Sequence, residues 1–409
     1  MDVSSFNNLH EMFTAPKDGF KFKIHPTQAD FEEFNNIKKI VRNSLKDKIR
    51  NYLENRAISN IFPKFRVQGS WAYGTCNLPA KSNQEMDMDY GVYLPVRVFD
   101  CFNSQNDSAQ ARDYFKQIEQ FLSELCTNQG WQLDNTKTTC IRMKIKDNAH
   151  VDVPLYAVPD EMFDNMKERD RLVLATEAVV FDQALGRNII GINDWFAYDY
   201  TLEELKSIDL AEETLADKNI QTIHMAKRDG TWQSSDCEII REWFTKKLKE
   251  FPDNGKQLRN ICRYLKAWRD WAFESGAPSS ILLMVIACKY YTFHKSRDDI
   301  ALLEILENLP ETLANDVYED IQGHNREDFN RMNSNQREKA RVLANDLHKI
   351  FLGNLVNNNK AHIISSMIAQ WGNRMPTNEK LIVLNQSCEF DRPPLVQNIV
   401  TPQTPLRQG

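Results

Sequence analysis

The stretch VQGSWAYGTCNLPAKSNQEMDMDYGVYL, residues 67–94, sets a Gly-Ser pair ahead of two aspartates that are separated by one apolar residue. On a β-strand, residues i and i+2 point to the same side, so Asp87 and Asp89 are expected to project together while Met88 faces the core. Two like charges on one face repel each other, and a cation normally offsets that repulsion. The stretch therefore predicts either a metal site or an acidic surface loop.

A third aspartate favours the metal site. Asp152 lies in the alternating segment His150–Val153, which has the pattern of a short strand. If this strand lies beside the strand that carries Asp87 and Asp89, the three carboxylates come together. Three carboxylates are a set of hard oxygen ligands that suits Mg²⁺ or Mn²⁺. The apolar neighbours of each carboxylate imply partial burial, where unpaired charges are costly. Two such ions can activate a hydroxyl and stabilise a departing phosphate.

The Gly69-Ser70 pair is expected to form a phosphate-binding turn at the end of a strand over Lys64–Val67. Glycine permits close backbone approach, and the serine hydroxyl and the free amides of a following helical turn can hold phosphate oxygens. Gly-Ser pairs and Asp-x-Asp triplets also occur in ordinary solvated loops. The order of the motifs and their apolar flanks favour a phosphate-plus-metal arrangement.

Composition narrows the class of protein. The chain has 409 residues, of which 42% are hydrophobic and 26% charged, as in soluble globular proteins with about two domains. A net charge of −6 gives no overall basic surface for a long nucleic acid. Eight cysteines without a CxxC pair indicate neither a zinc ribbon nor a disulfide framework. No signal peptide is recognisable and no apolar run spans a bilayer, so we expect a cytoplasmic protein with no membrane association.

The periodicity predicts an α+β fold. Thr27 and Asp30 form a capping box at the start of an amphipathic helix over 27–53, and a second helix covers Ala109–Gln129. The strand-like segments are Lys64–Val67, Met86–Leu94, Trp131–Thr136, Cys140–Ile145 and His150–Val158. From about residue 235 only helical patterns follow: Ile239–Phe251, Leu258–Glu274, Ser279–His294, Ala301–Asn308, Asn335–Leu352 and Lys360–Gly372. We predict a core lobe over 1–215, a helical lobe over 216–386 and a flexible proline-rich tail over 387–409.

Several segments resemble one enzyme family. The Gly-Ser, Asp-x-Asp and Asp pattern is similar to that of the nucleotidyltransferase superfamily of DNA polymerase β and poly(A) polymerase. The sixteen residues between Ser70 and Asp87 exceed the usual spacing of that superfamily and resemble instead the cGAS/DncV-like nucleotidyltransferases (CD-NTases), the bacterial DncV-like cyclic dinucleotide synthases most of all. The segments that carry the resemblance are QGSWAYGT, QEMDMDYGVYLPV, HVDVPLYAVP, RDGTWQSSDCEIIREWF, LRNICRYLKAWRDW, GAPSSI and GNRMPTNEKLIVL, from about residue 65 to 385.

The resemblance implies a fold and an activity. The fold is a polymerase-β-like core, a mixed sheet with flanking helices, plus a helical C-terminal lobe, with the active site in the cleft between them. Two Mg²⁺ ions, or Mn²⁺ in their place, are held by the catalytic residues Asp87, Asp89 and Asp152. The activity is template-independent joining of ATP and GTP, by attack of a 3′-hydroxyl on an α-phosphate, into a cyclic dinucleotide. The expected product is 3′,3′-cyclic GMP–AMP, made in bacterial anti-phage (CBASS) signalling.

The resemblance also implies a set of nucleotide-binding residues: Gln68, Gly69, Ser70, Arg142, Ser234, Ser235, Asp236, Lys266, Ser279 and Ser280. Taken alone, Lys266 equally indicates a solvated helix face, and the Ser-Ser-Asp triplet more often indicates a helix N-cap. Arg142 stands one residue closer to Asp152 than in similar family members, which puts its register in question. For the aromatic residues near the cleft, Trp71, Tyr73 and Tyr93, core packing is favoured over base stacking. His150 is interpreted as a structural strand histidine, because Mg²⁺ prefers oxygen ligands.

Three alternatives stay open. The same chemistry on other nucleotides would give a different cyclic di- or trinucleotide, and an RNA-extending transferase would use the same carboxylates without a basic surface to hold its primer. A degenerate nucleotide-binding sensor would not need all three aspartates. The tail ending in Gly409 is a candidate conjugation site for a ubiquitin-like conjugating (E1/E2-type) enzyme, with simple disorder as the equal alternative.

Overall fold

The computed structural model describes residues 3–99, 107–166, 223–235, 237–253, 255–321 and 327–385. Within them, an eight-stranded mixed sheet with flanking helices lies beside a helical lobe, as the sequence predicts. Each part has its own hydrophobic core. None of the helices in these ranges is both long and apolar enough to cross a membrane.

The sheet lobe contains strands β1 to β8 and three of the helices. The strands are β1 (Lys64–Gln68), β2 (Met86–Pro95), β3 (Gln132–Asp134), β4 (Ile141–Lys146), β5 (Ala149–Val153), β6 (Leu155–Val158), β7 (Ile223–Ala226) and β8 (Trp232–Ser235). The helices that pack on it are α3 (Gln28–Glu54), α4 (Gly69–Ala72) and α5 (Asp107–Gln129).

The helical lobe contains two short N-terminal helices and six longer ones from the C-terminal half. They are α1 (His10–Thr14), α2 (Phe20–Ile24), α6 (Cys237–Lys249), α7 (Lys256–Ala272), α8 (Ser280–Tyr290), α9 (Asp298–Ala314), α10 (Ser334–Val356) and α11 (Lys360–Trp371). Helix α7 lies at the centre, and most of its side chains are buried.

Helix α3 starts as its sequence predicts. The Thr27 side chain accepts a hydrogen bond from the Asp30 backbone N–H, and the Asp30 carboxylate accepts one from the Thr27 N–H, which completes the capping box. One stripe of α3 packs into the core of the sheet lobe through six apolar side chains at helical spacing: Phe34, Ile37, Val41, Leu45, Ile49 and Leu53.

Strand β2 organises the sheet, because it pairs with three other strands. It is antiparallel to β1 and parallel to both β5 and β6. The predicted single strand over His150–Val158 is divided at Pro154, whose carbonyl still accepts a hydrogen bond from the Val92 N–H at 2.9 Å. Proline lacks an N–H and interrupts the ladder without changing its register.

The structure differs from the predicted lobe boundary in two places. Strands β7 and β8 lie between 216 and 235, yet they continue the sheet beyond β6. Helices α1 and α2 lie within the first 215 residues, yet Phe13 and Phe20 pack on Tyr264 and Trp371 in the helical core. The physical reason is that burial partners distant in sequence decide lobe membership, and these short elements carry weak periodic patterns. The 215/216 boundary itself and the tail 387–409 lie outside the described residues.

The segment 73–85, which separates the phosphate turn from β2, bonds to the helical lobe mainly at backbone carbonyls. Asn77 Nδ2 donates to the Arg263 carbonyl at 2.9 Å, and Gln84 Nε2 donates to the Asp270 carbonyl at 2.6 Å. Further bonds run from Arg374 Nη1 to the Leu78 carbonyl at 3.0 Å and from the Leu78 N–H to the Ile24 carbonyl at 2.7 Å. The unusually long gap between Ser70 and Asp87 is thus a bridge between the two lobes.

Candidate active site

Three neighbouring strands bring the aspartates together. In the parallel pair of β2 and β5, Asp87 is opposite His150 and Asp89 is opposite Asp152. On the antiparallel side, Asp89 is opposite Gln68, the last residue of β1 before the phosphate turn. The register therefore places the Asp-x-Asp pair between the third carboxylate and the turn, as the sequence pattern predicts.

Two of the three carboxylates have cationic partners. Both oxygens of Asp152 accept hydrogen bonds from the Arg142 guanidinium at 2.7 Å, across the antiparallel pair of β4 and β5. Asp87 Oδ1 lies 3.0 Å from His150 Nε2. Burial would raise the pKa of Asp87, but the His150 hydrogen bond and the charges of His150 and Arg142 outweigh it and hold that pKa below its usual value.

Asp89 is different, since no hydrogen bond or ion pair to its carboxylate is found in the described part of the chain. Burial, together with the negative charges of Asp87 and Asp152, raises its pKa to about 8. The three carboxylates therefore do not all ionise at neutral pH by themselves. A divalent cation at this position would remove the repulsion, so the set fits a metal site.

The donor atoms that lie nearest to one another belong to Asp87, His150 and Asp152, all within 4.8 Å. His150 was expected to be structural, and its ring does join two carboxylates, since Nδ1 lies 2.6 Å from Glu85. Its Nε2 nevertheless lies inside the candidate metal cluster. This arrangement supports a metal site where β2 pairs with β5.

The phosphate turn depends on Gly69. This residue has φ +59°, a left-handed conformation that favours glycine, and a Cβ at this position would lie 2.1 Å from Asp89 Oδ2. Helix α4 begins at the same residue, so the free amides of its first turn and Ser70 face the cavity next to Asp89. The turn and the unpaired carboxylate therefore touch.

A cavity of about 770 Å³ lies between the sheet lobe and the helical lobe. It is lined by ten of the predicted site residues: Gln68, Gly69, Ser70, Asp87, Asp89, Ser234, Ser235, Lys266, Ser279 and Ser280. Asp152 and Arg142 are not among the lining residues, and they are hydrogen-bonded to each other. Asp236 and Gly409 lie outside the described residues.

The helical wall of the cavity provides positive charge. Lys266 is 8% exposed, so it is not on a solvated helix face, and its Nζ donates to the Thr75 carbonyl at 2.9 Å. Burial lowers its pKa from the usual value. Ser279 is the N-cap of α8, where its side chain accepts from the Leu282 N–H at 3.1 Å, and Ser280 begins the helix.

All three aromatic candidates pack in cores, as expected. Trp71 stacks on Phe34 at 4.5 Å between ring centroids, and Tyr93 is fully buried and stacks on Tyr156 at 4.8 Å. Tyr73 packs in the helical core, where it contacts Phe244 edge-on, and it also lines the cavity.

Tyr156, Arg269 and Asp270 are among the cavity-lining residues that were not predicted as site residues. Arg269 and Asp270 follow Lys266 at i+3 and i+4 on α7, and that helical spacing was a usable signal. Tyr156 gave no such signal, because its place beside Gln68 depends on the pairing of β2 with β6.

A sheet that carries a glycine-serine phosphate turn and three carboxylates, closed by a helical lobe, has the architecture of a nucleotidyltransferase. Residues 63–156 match the family "Cyclic GMP-AMP synthase DncV-like, nucleotidyltransferase domain", and residues 255–385 match "Cyclic GMP-AMP synthase, C-terminal domain". The two matches together cover more than half of the chain. The chain belongs to the DncV-like nucleotidyltransferase family.

Comparisons with individual proteins agree with this family assignment. The chain is 34% identical to a cyclic GMP-AMP synthase of Escherichia coli over 226 residues, and 32% identical to one of Vibrio cholerae over 227 residues. Each match covers 54% of this chain and 46% of the relative, so it spans less than half of the relative's length. The crystal structure of Vibrio cholerae DncV cyclic AMP-GMP synthase with a linear intermediate has a TM-score of 0.68 and 22% identity, over 93% of this chain and 100% of that one, which shows a shared fold.

Proposed function

We propose that the protein is a template-independent nucleotidyltransferase that joins ATP and GTP into 3′,3′-cyclic GMP–AMP. The observation that carries this proposal is one cavity shared by the phosphate turn, the Asp87–Asp89 pair and Lys266. The matching relatives are cyclic GMP-AMP synthases, which supports the same product here.

The size and charge of the site favour small nucleotides. A volume of about 770 Å³ lies within the range of about 300–1,000 Å³ that is typical of small-molecule sites. A chain with net charge −6 lacks the excess of lysine and arginine that binds long nucleic acids by releasing counterions. We therefore assign mononucleotides, rather than an RNA primer, as acceptor and donor.

Two Mg²⁺ ions, or Mn²⁺ in their place, would be held by Asp87, Asp89 and Asp152. When bound, they supply activation of the attacking hydroxyl and stabilisation of the charge on the leaving pyrophosphate. The raised pKa of Asp89 supports the assignment, because a bound cation would stabilise the ionised form of three adjacent carboxylates that repel one another.

The protein's own residues position the donor and move the proton. Ser70 and the free amides of α4 bind phosphate oxygens of the donor, and Lys266 and the start of α8 bind the rest of its triphosphate. Asp89, whose carboxylate has no other partner among the described residues, accepts the proton of the attacking 3′-hydroxyl. The bond from O3′ to the α-phosphorus forms, the bond from that phosphorus to the bridging oxygen breaks, and pyrophosphate leaves. The linear product then binds with its ends exchanged, and a second attack closes the ring.

Base selection is assigned to the segment that precedes α6. Ser234 and Ser235 lie on β8 and line the cavity, and the sequence places Asp236 directly after them. Serine hydroxyls and an aspartate offer the acceptors that the N1–H and amino group of guanine require. Arg142 acts in this proposal by orienting Asp152, which its two hydrogen bonds already do.

The test is incubation of the purified protein with four radiolabelled NTPs and Mg²⁺, followed by phosphatase and a 3′–5′-specific nuclease. A phosphatase-resistant product that needs ATP and GTP and disappears in Asp87→Ala/Asp89→Ala is expected. A resistant product from other bases would identify a different cyclic nucleotide, and extension of added RNA would identify a polymerising transferase. Nucleotide binding without turnover under any metal or pH would contradict synthesis and indicate a sensor.

We further propose that the enzyme acts in the bacterial cytoplasm, in anti-phage signalling. Expression of its complete operon should reduce phage plating, and Asp87→Ala/Asp89→Ala should restore it. Equal plating with the native and substituted proteins would contradict this role.

The proposal that a ubiquitin-like conjugating enzyme acts on Gly409 rests on the sequence of the tail, which lies outside the described residues. Reconstitution with the conjugating enzymes should produce a covalent adduct that is lost when Gly409 is deleted or followed by further residues. An unchanged adduct would contradict the assignment.

A further inference from the structure

The cavity wall formed by α7 carries two charged residues beyond Lys266. Arg269 and Asp270 lie one helical turn further along the same face, and both line the cavity. Lys266 is buried, whereas the Arg269 side chain is 18% exposed. This wall therefore has two cationic side chains: Lys266 is buried, and Arg269 is partly exposed to the cavity.

The Arg269 guanidinium donates hydrogen bonds to two side chains. Its Nε and Nη2 donate to Asp270 Oδ1 at 2.8 and 2.5 Å, and its Nη1 donates to Ser280 Oγ at 2.6 Å. Ser280 is the first residue of α8, an eleven-residue helix whose N-terminus carries partial positive charge. A cation is unfavourable at that end of a helix, whereas an anion between the Arg269 guanidinium and the N-terminus of α8 is favourable.

We propose that Arg269 is a further phosphate-binding residue, which contacts the end of the donor triphosphate between α7 and the start of α8. Asp270 holds the guanidinium in place before the nucleotide arrives and releases it to the polyphosphate. This inference rests on the proposed function of the same cavity. Arginine suits the role, because its planar guanidinium donates two parallel hydrogen bonds to a phosphate group.

The direct test is binding of inorganic tripolyphosphate in Mg²⁺ buffer, measured by titration calorimetry. Arg269→Gln is expected to weaken binding about tenfold, which corresponds to about 1.4 kcal/mol. Arg269→Lys keeps the positive charge but cannot donate two parallel hydrogen bonds, so its affinity should lie between those of the native protein and Arg269→Gln. Equal affinity in the native protein and Arg269→Gln would overturn the proposal, as would the absence of tripolyphosphate binding to the native protein.

Asp270→Asn separates release of the guanidinium from a general charge effect. This substitution should tighten tripolyphosphate binding about threefold in the native background and change it little when Arg269→Gln is also present, because coupled residues are non-additive. The same gain in both backgrounds would show that Asp270 acts as a plain negative charge and would overturn its assigned role.

A matched control removes an arginine elsewhere. Arg341 on α10 donates to Glu338 at 2.8 and 2.6 Å, and it does not line the cavity. Arg341→Gln should leave tripolyphosphate affinity within twofold, whereas an equal loss in both variants would show a net-charge effect only and overturn the proposal. Because the readout is binding, a protein that binds tripolyphosphate through Arg269 and makes no cyclic product would contradict the proposed function alone.

Discussion

The side-chain amide of Gln68, the residue before the phosphate turn, makes three hydrogen bonds. Its Oε1 accepts a hydrogen bond from the Tyr156 hydroxyl at 3.0 Å, and its Nε2 donates to the Tyr93 hydroxyl and to Cys237 Sγ. Tyr93 in turn donates to Glu238 Oε1 at 2.8 Å. We propose that Gln68 orients the turn that follows it.

Tyr93→Phe breaks this chain of hydrogen bonds in the middle. It leaves buried partners unsatisfied, so we expect the free energy of unfolding to fall by about 1–3 kcal/mol. We also expect a rise of about threefold or more in KM for the donor nucleotide, a shift that a purely structural role would not produce. Urea unfolding and initial rates measure the two effects.

Tyr114→Phe is the matched control. The Tyr114 hydroxyl is buried and has no hydrogen-bond partner in the described ranges. Its removal should change stability by no more than about 0.5 kcal/mol and leave KM unchanged. A similar KM shift in both variants would contradict the positioning role of Tyr93.

Gly69→Ala tests the contact between the turn and Asp89. The added methyl group would meet Asp89 Oδ2, so the carboxylate or the turn must move, and we expect at least a hundredfold loss of product formation. Gly130→Ala is the control, since Gly130 also has positive φ and a Cβ there meets nothing within 4 Å. Both variants should lose about 1–2 kcal/mol of stability from backbone strain, and only Gly69→Ala should lose activity.

At the scale of elements, one buried ion pair joins α6 to β1. Arg66 Nη1 lies 2.7 Å from Glu238 Oε2, with 1% and 3% of the two side chains exposed. Burial would raise the pKa of Glu238, but the charges of Arg66 and Arg241 and the hydrogen bonds from Tyr93 and Arg66 hold that pKa below its usual value. The first helix after β8 is thus fixed to the strand that precedes the phosphate turn.

This pair predicts how stability depends on pH. The folded-state pKa of Glu238 lies below its unfolded value of 4.5, so its contribution is fully present above about pH 4.5 and is lost as pH falls further. Glu238→Gln leaves Arg66 without its counter-charge, and we expect a loss of about 3 kcal/mol at pH 7, with a smaller decline towards pH 4 than in the native protein. Urea unfolding across this pH range measures it, and an unchanged slope would contradict the assignment.

Long, strongly patterned elements and the strands up to residue 158 were predictable from the sequence, whereas the short elements α1, α2, β7 and β8 were not. The capping residue Thr27 and the apolar stripe on α3 specify that helix locally. Strands β7 and β8 have four residues each, and their pairing partners are set by the sheet. The same holds for the site: Asp87, Asp89 and Asp152 follow from alternation, whereas the pairing of Arg142 with Asp152 depends on the register of β4 with β5.

At the scale of the molecule, substrate and metal binding should stabilise the joined lobes. With a non-hydrolysable nucleotide and Mg²⁺ at one hundred times their Kd, native protein should gain about 2.7 kcal/mol. Without metal, the raised pKa keeps the half-buried Asp89 carboxyl group largely neutral. Asp89→Asn replaces it with a neutral amide of similar shape, so in EDTA the variant should unfold at a temperature no lower than the native protein. It should lose the gain from Mg²⁺ and nucleotide. Differential scanning calorimetry tests both expectations, and a retained gain would contradict the role of Asp89.

The bridge formed by segment 73–85 has a consequence for the length of the product. Two of its side chains donate hydrogen bonds to the main-chain carbonyls of Arg263 and Asp270, and these bonds do not depend on which bases are bound. For the proposed reaction, we expect this bridge to keep the cavity at one width and to prevent it from opening around a growing polymer. The number of nucleotides in the product would then be limited by main-chain hydrogen bonds between the lobes and not by contacts to the bases.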